Sequence, residues 1–407
     1  MYQELRRDSD RVTDDVIDLA QELVRIPSVS LAEGSLANRI EEALLDLGYH
    51  LVTRDDFGNV VGVLLKDHTL PTVLLNSHMD TVPPGVDWTQ SPFAGMIAGG
   101  RLYGLGAADC KGGLAAQIYA GHLLATSVLP LRGNLVFAAT VAEENGCSVG
   151  LRYLLEHTLP QLELKPCFAI LGEPTALSLC YGHDGWAEAD VCISSESTAR
   201  LSHAIDLLRL GIDGIDTGRC TPAVPILSMR APELGGTHGS REAMVRVVRR
   251  LLPGESAGGF VRWVRRRADA TRSVGAIDID VRPHEEVQHL YTGATSRVRF
   301  GTEAWTTDPF DPHVDRARET LRAAGYPPVL RHWRLDQLGM GTAGGTLVRH
   351  HIPTVGFGPG EETQAHRSDE SIDLRRVTEA VYATAALAYG FIGAPVFPRP
   401  HSVRRAA

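Results

Sequence analysis

Four apolar runs in this chain carry apolar side chains at successive rather than alternate positions, and that pattern restricts the fold more than any other feature. They are Pro71 to Leu75, Asn134 to Ala142, Phe168 to Gly172, and the stretch from Thr354 to Gly360. A strand that is apolar on both sides must be covered on both sides, which is the situation of a parallel sheet between two helical layers. Helical spacing at Thr13 to Val24, at Ala37 to Leu47 before Gly48, and at Leu114 to Leu124 supplies such layers. The alternation holds to about Leu179 and predicts an α/β fold with a mainly parallel sheet.

Past each run, or in a turn bounded by glycine, stands an acid or a histidine. His78 and Asp80 follow the first run, and on an extended backbone residues i and i+2 face one side. By itself this pair fits a fragment of a metal site or a satisfied surface histidine equally well. Asp109 lies in the glycine-rich turn Gly104 to Gly113, Glu143 and Glu144 end the second run, Glu173 ends the third before Pro174, and His366 follows the fourth. Adjacent carboxylates such as Glu143 and Glu144 repel each other unless a cation is near. Taken singly, each could be a solvated strand end or a cap. In open α/β sheets, however, ligands collect beyond the carboxyl ends of the strands, so these positions aim at one edge.

The same segments resemble the M20 family of dinuclear zinc amidohydrolases, which includes acetylornithine deacetylase, succinyl-diaminopimelate desuccinylase, aminoacylase and glutamate carboxypeptidase. The resemblance covers most of the chain. Its motifs, in order, are Leu23 to Ser30, Ser77-His78-Met79-Asp80, Gly106 to Gly113, Glu143-Glu144, Gly172-Glu173-Pro174-Thr175, Gly356 to Gly360 and Ala365 to Glu370. The resemblance implies an α/β, mainly parallel-sheet dinuclear-zinc hydrolase domain with an inserted α+β lid domain. His78 and Glu173 would bind one zinc, Glu144 and His366 the other, and Asp109 would bridge them, with cobalt able to substitute. Glu143 would be the general base and Asp80 the residue that orients His78. Such a site can activate water and polarise a carbonyl near neutral pH, provided that the base is not itself tied up as a ligand.

The implied substrate is an N-acyl amino acid, a related small amine, or a short peptide. In the resembling family a glutamate at the position of Glu173 accompanies the deacylases, which favours acetylornithine-type deacylation. A dipeptidase or carboxypeptidase is the alternative within the family, and a non-catalytic binding protein that retains the fold is the alternative outside it.

A chain of 407 residues with 43% hydrophobic content can bury more than one core. From Tyr181 the pattern changes. Trp186 to Ile193 and Ala276 to Arg282 alternate like half-exposed strands, and Ala199 to Leu210 reads as a helix, which together suggest a small antiparallel sheet with helices on one face. We therefore expect a first catalytic part at 1–180, a lid of dimerisation type at 181–292 and a second catalytic part at 293–407. The catalytic fold would resume near Arg297 to Phe300 and close with a helix from Leu374 to Leu387. A homodimer through the lid would be compatible with the resemblance.

Within the lid, the family's loop with a small residue, histidine and serine is replaced by Ser194 to His203. Both His203 and His238 read as structural side chains. Thr342-Ala343-Gly344 lacks the aspartate that the family often places after the threonine.

Net charge of -9 argues against a nucleic-acid partner. The one basic cluster, Arg262, Arg265, Arg266 and Arg267 preceded by Arg246, Arg249 and Arg250, reads as a solvated helix face. The six cysteines form no CxxC pair, which suits reduced thiols. Cys110, beside Asp109, reads as a small buried apolar side chain that points away from the metals. No apolar core of a signal peptide stands at Met1 to Asp8 and no segment approaches a membrane span, so a cytoplasmic protein without a membrane partner is expected.

Overall fold

The buried runs become neighbouring strands of one nine-stranded sheet in the computed structural model, which describes residues 2–146, 148–213, 226–230, 241–333 and 341–393. In chain order β1 (Leu51–Arg54), β2 (Val60–Leu64), β3 (Thr72–His78), β4 (Asn134–Thr140), β5 (Pro166–Leu171) and β6 (Leu179–His183) belong to it. The next four, β7 (Gly185–Ser195), β8 (Ile226–Arg230), β9 (Arg241–Leu251) and β10 (Asp278–Pro283), build a second sheet. Finally β11 (Trp305–Thr306), β12 (Leu330–Trp333) and β13 (Thr354–Gly356) return to the first.

The first sheet runs β1-β2-β4-β3-β5-β13-β6-β11, with β12 beside β6. Its four central strands, β4, β3, β5 and β13, are parallel. Register sorts their side chains cleanly. Leu75 lies opposite both Phe137 and Ile170, and these three face a core completed by Leu19, Leu23, Ile40, Leu114, Ile118 and Leu387 from the covering helices. Leu74, Val136 and Ala169 face the other way, onto Leu151, Leu154 and Leu347. The unbroken apolar runs thus reflect two covered faces, each buried large side chain contributing roughly 1.5–3 kcal/mol.

Helix Gly112–Thr126 is buried almost all round, because it lies between the sheet and helices Thr13–Arg25 and Leu374–Ile392. A small antiparallel sheet of Met96–Ala98, Arg101–Tyr103 and Ser371–Asp373 ties the approach to Asp109 to the segment after His366.

The second sheet is antiparallel, in the order β8-β9-β7-β10, with Gly301–Thr302 paired to the start of β7. Ala187, Ala189, Val191 and Ile193 pack with Leu201, Leu208, Phe260 and Val264 of helices Thr198–Asp213 and Ala257–Ala270 into a separate core. Contrary to the half-exposed reading of β7, its polar face is also buried. Arg246 Nε lies 2.9 Å from Asp190 and 3.6 Å from Glu188, and His284 Nδ1 lies 2.9 Å from Asp190. Phe300 packs on the His284 ring. The arginine cluster divides accordingly: Arg246, Arg249 and Arg250 are on strand β9 rather than on a helix, and Arg262 to Arg267 are on helix Ala257–Ala270.

Thr295–Arg299 pairs with Glu285–His289 in a separate hairpin, whose tip residue Tyr291 donates its hydroxyl to Gly58 O at 2.8 Å. The chain rejoins the first sheet at β11. Among the described residues no helix is long and apolar enough to cross a membrane.

Candidate metal centre

The carboxyl ends of the four parallel strands deliver the polar residues to one place. His78 is the last residue of β3, Glu143 and Glu144 follow β4, Glu173 follows β5, and the loop after β13 leads to His366. Asp109 enters from the turn before helix Gly112–Thr126.

The ligating atoms fall into two overlapping groups. Around His78, Nε2 lies 3.2 Å from Asp109 Oδ1 and 3.7 Å from Glu173 Oε2. Around His366, Nε2 lies 2.8 Å from Glu144 Oε2 and 3.5 Å from Asp109 Oδ2. Asp109 therefore turns one oxygen to each group, and in each group the donor atoms lie within 4.8 Å of one another. Glu143 joins neither group. Among the described residues its carboxylate accepts a long hydrogen bond, 3.5 Å, from the hydroxyl of Ser148.

Cys110 does not point away. Its Sγ lies in the His78 group and donates to His78 O at 3.5 Å, while burial pushes the thiol up to about 12 and so keeps it neutral.

Local backbone holds these side chains in place. The carboxylate of Glu370 accepts the N–H groups of Gly106, Ala108 and Asp109 at 2.9, 2.7 and 3.0 Å, which fixes the turn that carries Asp109. Gly113 lets the helix approach the end of β5 so closely that an added Cβ would lie 1.9 Å from Gly172 O, one residue before Glu173.

Asp80 meets His78 through its main chain rather than its carboxylate. His78 Nδ1 meets the main-chain oxygen of Asp80 at 2.9 Å, and the carboxylate is 3.7 Å away. That carboxylate instead accepts from Glu143 N at 3.0 Å, Glu144 N at 2.9 Å and the hydroxyl of Ser30 at 2.7 Å.

Concentrated negative charge dominates the electrostatics. Burial, reinforced by Glu173, Glu144 and Asp80, holds Glu143 well above the usual carboxylate range. Burial likewise lifts Glu173 to about 6, against the pull of His78. Burial lowers the His366 imidazole, but Glu144 and Asp109 outweigh it and raise the ring to about 9. Four buried carboxyl groups at one point are costly without compensating cations. Moreover, Glu144 Oε1 is buried and has no hydrogen-bond partner among the described residues. Two divalent cations fit this donor set of imidazole and carboxylate, which suits zinc.

His203 lies exposed on helix Thr198–Asp213, and His238 lies outside the described residues. Among the buried acids and histidines outside the donor groups, Glu33, Glu370 and His183 had no sequence signal as such. A carboxylate or imidazole in a turn looks alike whether it is solvated or buried. Only for Glu370, inside the motif with His366, did a neighbouring site residue mark the place.

Comparison with known proteins sets this geometry in context. The sequence profile of peptidase family M20/M25/M40 matches residues 74–390. Succinyl-diaminopimelate desuccinylase of Gluconobacter oxydans is 36% identical over 403 residues, covering 93% of this chain and 97% of its own. The enzyme of the same name from Gluconacetobacter diazotrophicus is 35% identical, covering 90% and 95%. Among solved structures, the YXEP protein of Bacillus subtilis, described as a dinuclear metal binding peptidase from the M20 family, superposes with a TM-score of 0.68 at 17% identity, over 93% of this chain and 98% of that one.

Proposed function

We propose, from the premise that the chain belongs to peptidase family M20/M25/M40, that this amide-bond hydrolase removes the acyl group from an N-acyl amino acid or a related small amine. The observation that carries the reading is the position of Glu143: a buried acid beside the ligand Glu144, in neither donor group among the described residues and within hydrogen-bond reach of Ser148. Another carboxylate in so acidic a site costs stability, and acids perturbed in this way cluster at functional sites.

His78, Glu173 and Asp109 would hold one cation, and Asp109, Glu144 and His366 the other. Two such cations, which we take to be zinc with cobalt able to substitute, supply the charge that lowers the pKa of a water and polarises the scissile carbonyl. Glu143 accepts the proton of the attacking water and returns it to the departing nitrogen. Burial, reinforced by the acids around it, raises the proton affinity of Glu143, which favours taking the proton from the water. Asp80 serves by aiming Glu143 and Glu144 through their main-chain N–H groups.

Two relatives named as desuccinylases support an N-acyl amino acid as substrate, and so does a glutamate at position 173. The cysteines Cys110, Cys167, Cys180 and Cys192 are free, which supports a cytoplasmic location. Turnover of zinc-loaded protein on acetyl-, succinyl- and formyl-amino acids and on dipeptides tests the reading. Hydrolysis of one acyl class is expected. Dipeptides cleaved faster than every N-acyl substrate would reassign the enzyme to the peptidases, and no turnover on any of them would remove the proposal.

A further inference from the structure

Three consecutive backbone N–H groups in the turn after β4 are each captured by a buried acid from elsewhere. Ala142 N donates to Glu33 Oε1 at 3.0 Å, Glu143 N to Asp80 Oδ1 at 3.0 Å and Glu144 N to Asp80 Oδ2 at 2.9 Å. The turn needs such anchors. Ala142 has φ of 53°, a left-handed conformation that non-glycine residues seldom adopt, and the two residues that follow are the proton carrier and a ligand. Glu33 is itself fully buried. The same Oε1 also accepts Leu31 N at 3.0 Å, where φ is 74°, so one carboxyl oxygen holds two left-handed residues that stand 111 positions apart. Its other oxygen, Oε2, is buried with no hydrogen-bond partner among the described residues. A carboxyl buried beside another acid is destabilising unless its accepting oxygen serves some purpose.

We propose that Glu33 is a positioning residue for amide hydrolysis, which together with Asp80 forms a two-acid clamp that fixes the main chain of residues 142 to 144 and so aims Glu143. Glu33 is buried from solvent and lies in neither donor group, and the inference rests on the hydrolase reading only for its effect on turnover. What matters at Glu33 is the reach of one acceptor oxygen, not its charge. An amide oxygen of the same length can accept the same two N–H groups. A shorter acid cannot reach them.

Three variants of the full-length, metal-loaded protein decide the point: Glu33→Gln keeps the acceptor, Glu33→Asp keeps the acid but withdraws it by one methylene, and Glu33→Met keeps the length without any oxygen acceptor. Two quantities are read, kcat on the best substrate and hydrogen exchange of the peptide spanning residues 139–146. Glu33→Gln should stay within about threefold of wild type in both. Glu33→Asp and Glu33→Met should lose about tenfold or more in kcat with KM nearly unchanged, with both metal ions retained, as expected when roughly one hydrogen bond's worth of alignment is lost. Their exchange at residues 142–144 should be at least about tenfold faster.

The exchange readout stands even if the wild type hydrolyses none of the substrates, so failure of the clamp and failure of the hydrolase reading are separable. If Glu33→Met does not fold, the order of Glu33→Gln and Glu33→Asp still decides. Glu33→Asp equal to or better than Glu33→Gln in exchange would overturn the proposal, as would unaltered exchange in both Glu33→Asp and Glu33→Met.

Discussion

Asp109 presents Oδ1 to the His78 group and Oδ2 to the His366 group, so one carboxylate serves both donor sets. Asp109→Ala should therefore lose both metal ions, measured by mass spectrometry of the native protein. A variant that retained two ions would show that the groups do not depend on a bridge. The neighbours Glu143 and Glu144 should behave oppositely. Glu143→Gln is expected to keep its metal and lose about 10²–10⁴-fold in kcat, the usual contribution of a general base. Glu144→Gln should instead bind metal weakly, because its Oε2 lies 2.8 Å from His366. Parallel metal and rate measurements check both, and a reversal of the two phenotypes would exchange the roles. At this scale the sequence was legible for residue types at strand ends, since His78, Glu143 and Glu173 advertise themselves as polar groups closing apolar runs. It was not legible for Asp80, whose place in the motif suggests a partner for His78 while its carboxylate turns to the turn 63 and 64 residues away.

Elements bring such residues together through contacts with little slack. Helix Gly112–Thr126 rests on the end of β5 at Gly113, where a methyl group would intrude to 1.9 Å from Gly172 O. Gly113→Ala should therefore push helix and strand end apart at a cost of about 1–3 kcal/mol, the usual range for overpacking. Because Glu173 follows Gly172, metal content should fall as well. Thermal melting and metal analysis of the variant check this, and an unchanged melting temperature would mean that the helix can shift without cost. The glycine-rich turn was plain in the sequence, but which of its glycines is sterically required depends on a backbone oxygen 59 positions away. The polar face of β7 teaches a similar lesson. Its alternation was read correctly, yet Glu188 and Asp190 are buried, because Arg246, His284 and Phe300 arrive from other strands.

Across the whole molecule, His183 sits where the chain passes from the first sheet to the second, at the end of β6 and two residues before β7. Its Nδ1 donates to Asp184 O at 2.7 Å, and its Nε2 accepts Thr342 N at 3.0 Å, which fixes the neutral tautomer. Burial lowers the ring to about 4. An unfolded histidine titrates near 6.5, so between these values the unfolded chain binds a proton that the native ring refuses. Stability from this site should be complete above about pH 6.5, fall as pH drops towards 4, and level off below, a total of about 3 kcal/mol. In denaturant melts the gap between wild type and His183→Gln should accordingly narrow from pH 7.5 to 4. A constant gap would show that the ring is not held neutral.

What the sequence determined by itself was the fold class and the edge of the sheet at which these acids and histidines gather, because residue type, apolar periodicity and strand ends are local properties of the chain. Only the tertiary structure decided how the donors divide around Asp109, where the Asp80 carboxylate points, and that Glu33, Glu370 and His183 are buried and accept backbone N–H groups. Their hydrogen-bond partners stand 109, 264 and 159 positions away, and burial, which turns an ordinary surface acid or imidazole into an anchor, exists only once distant segments have packed.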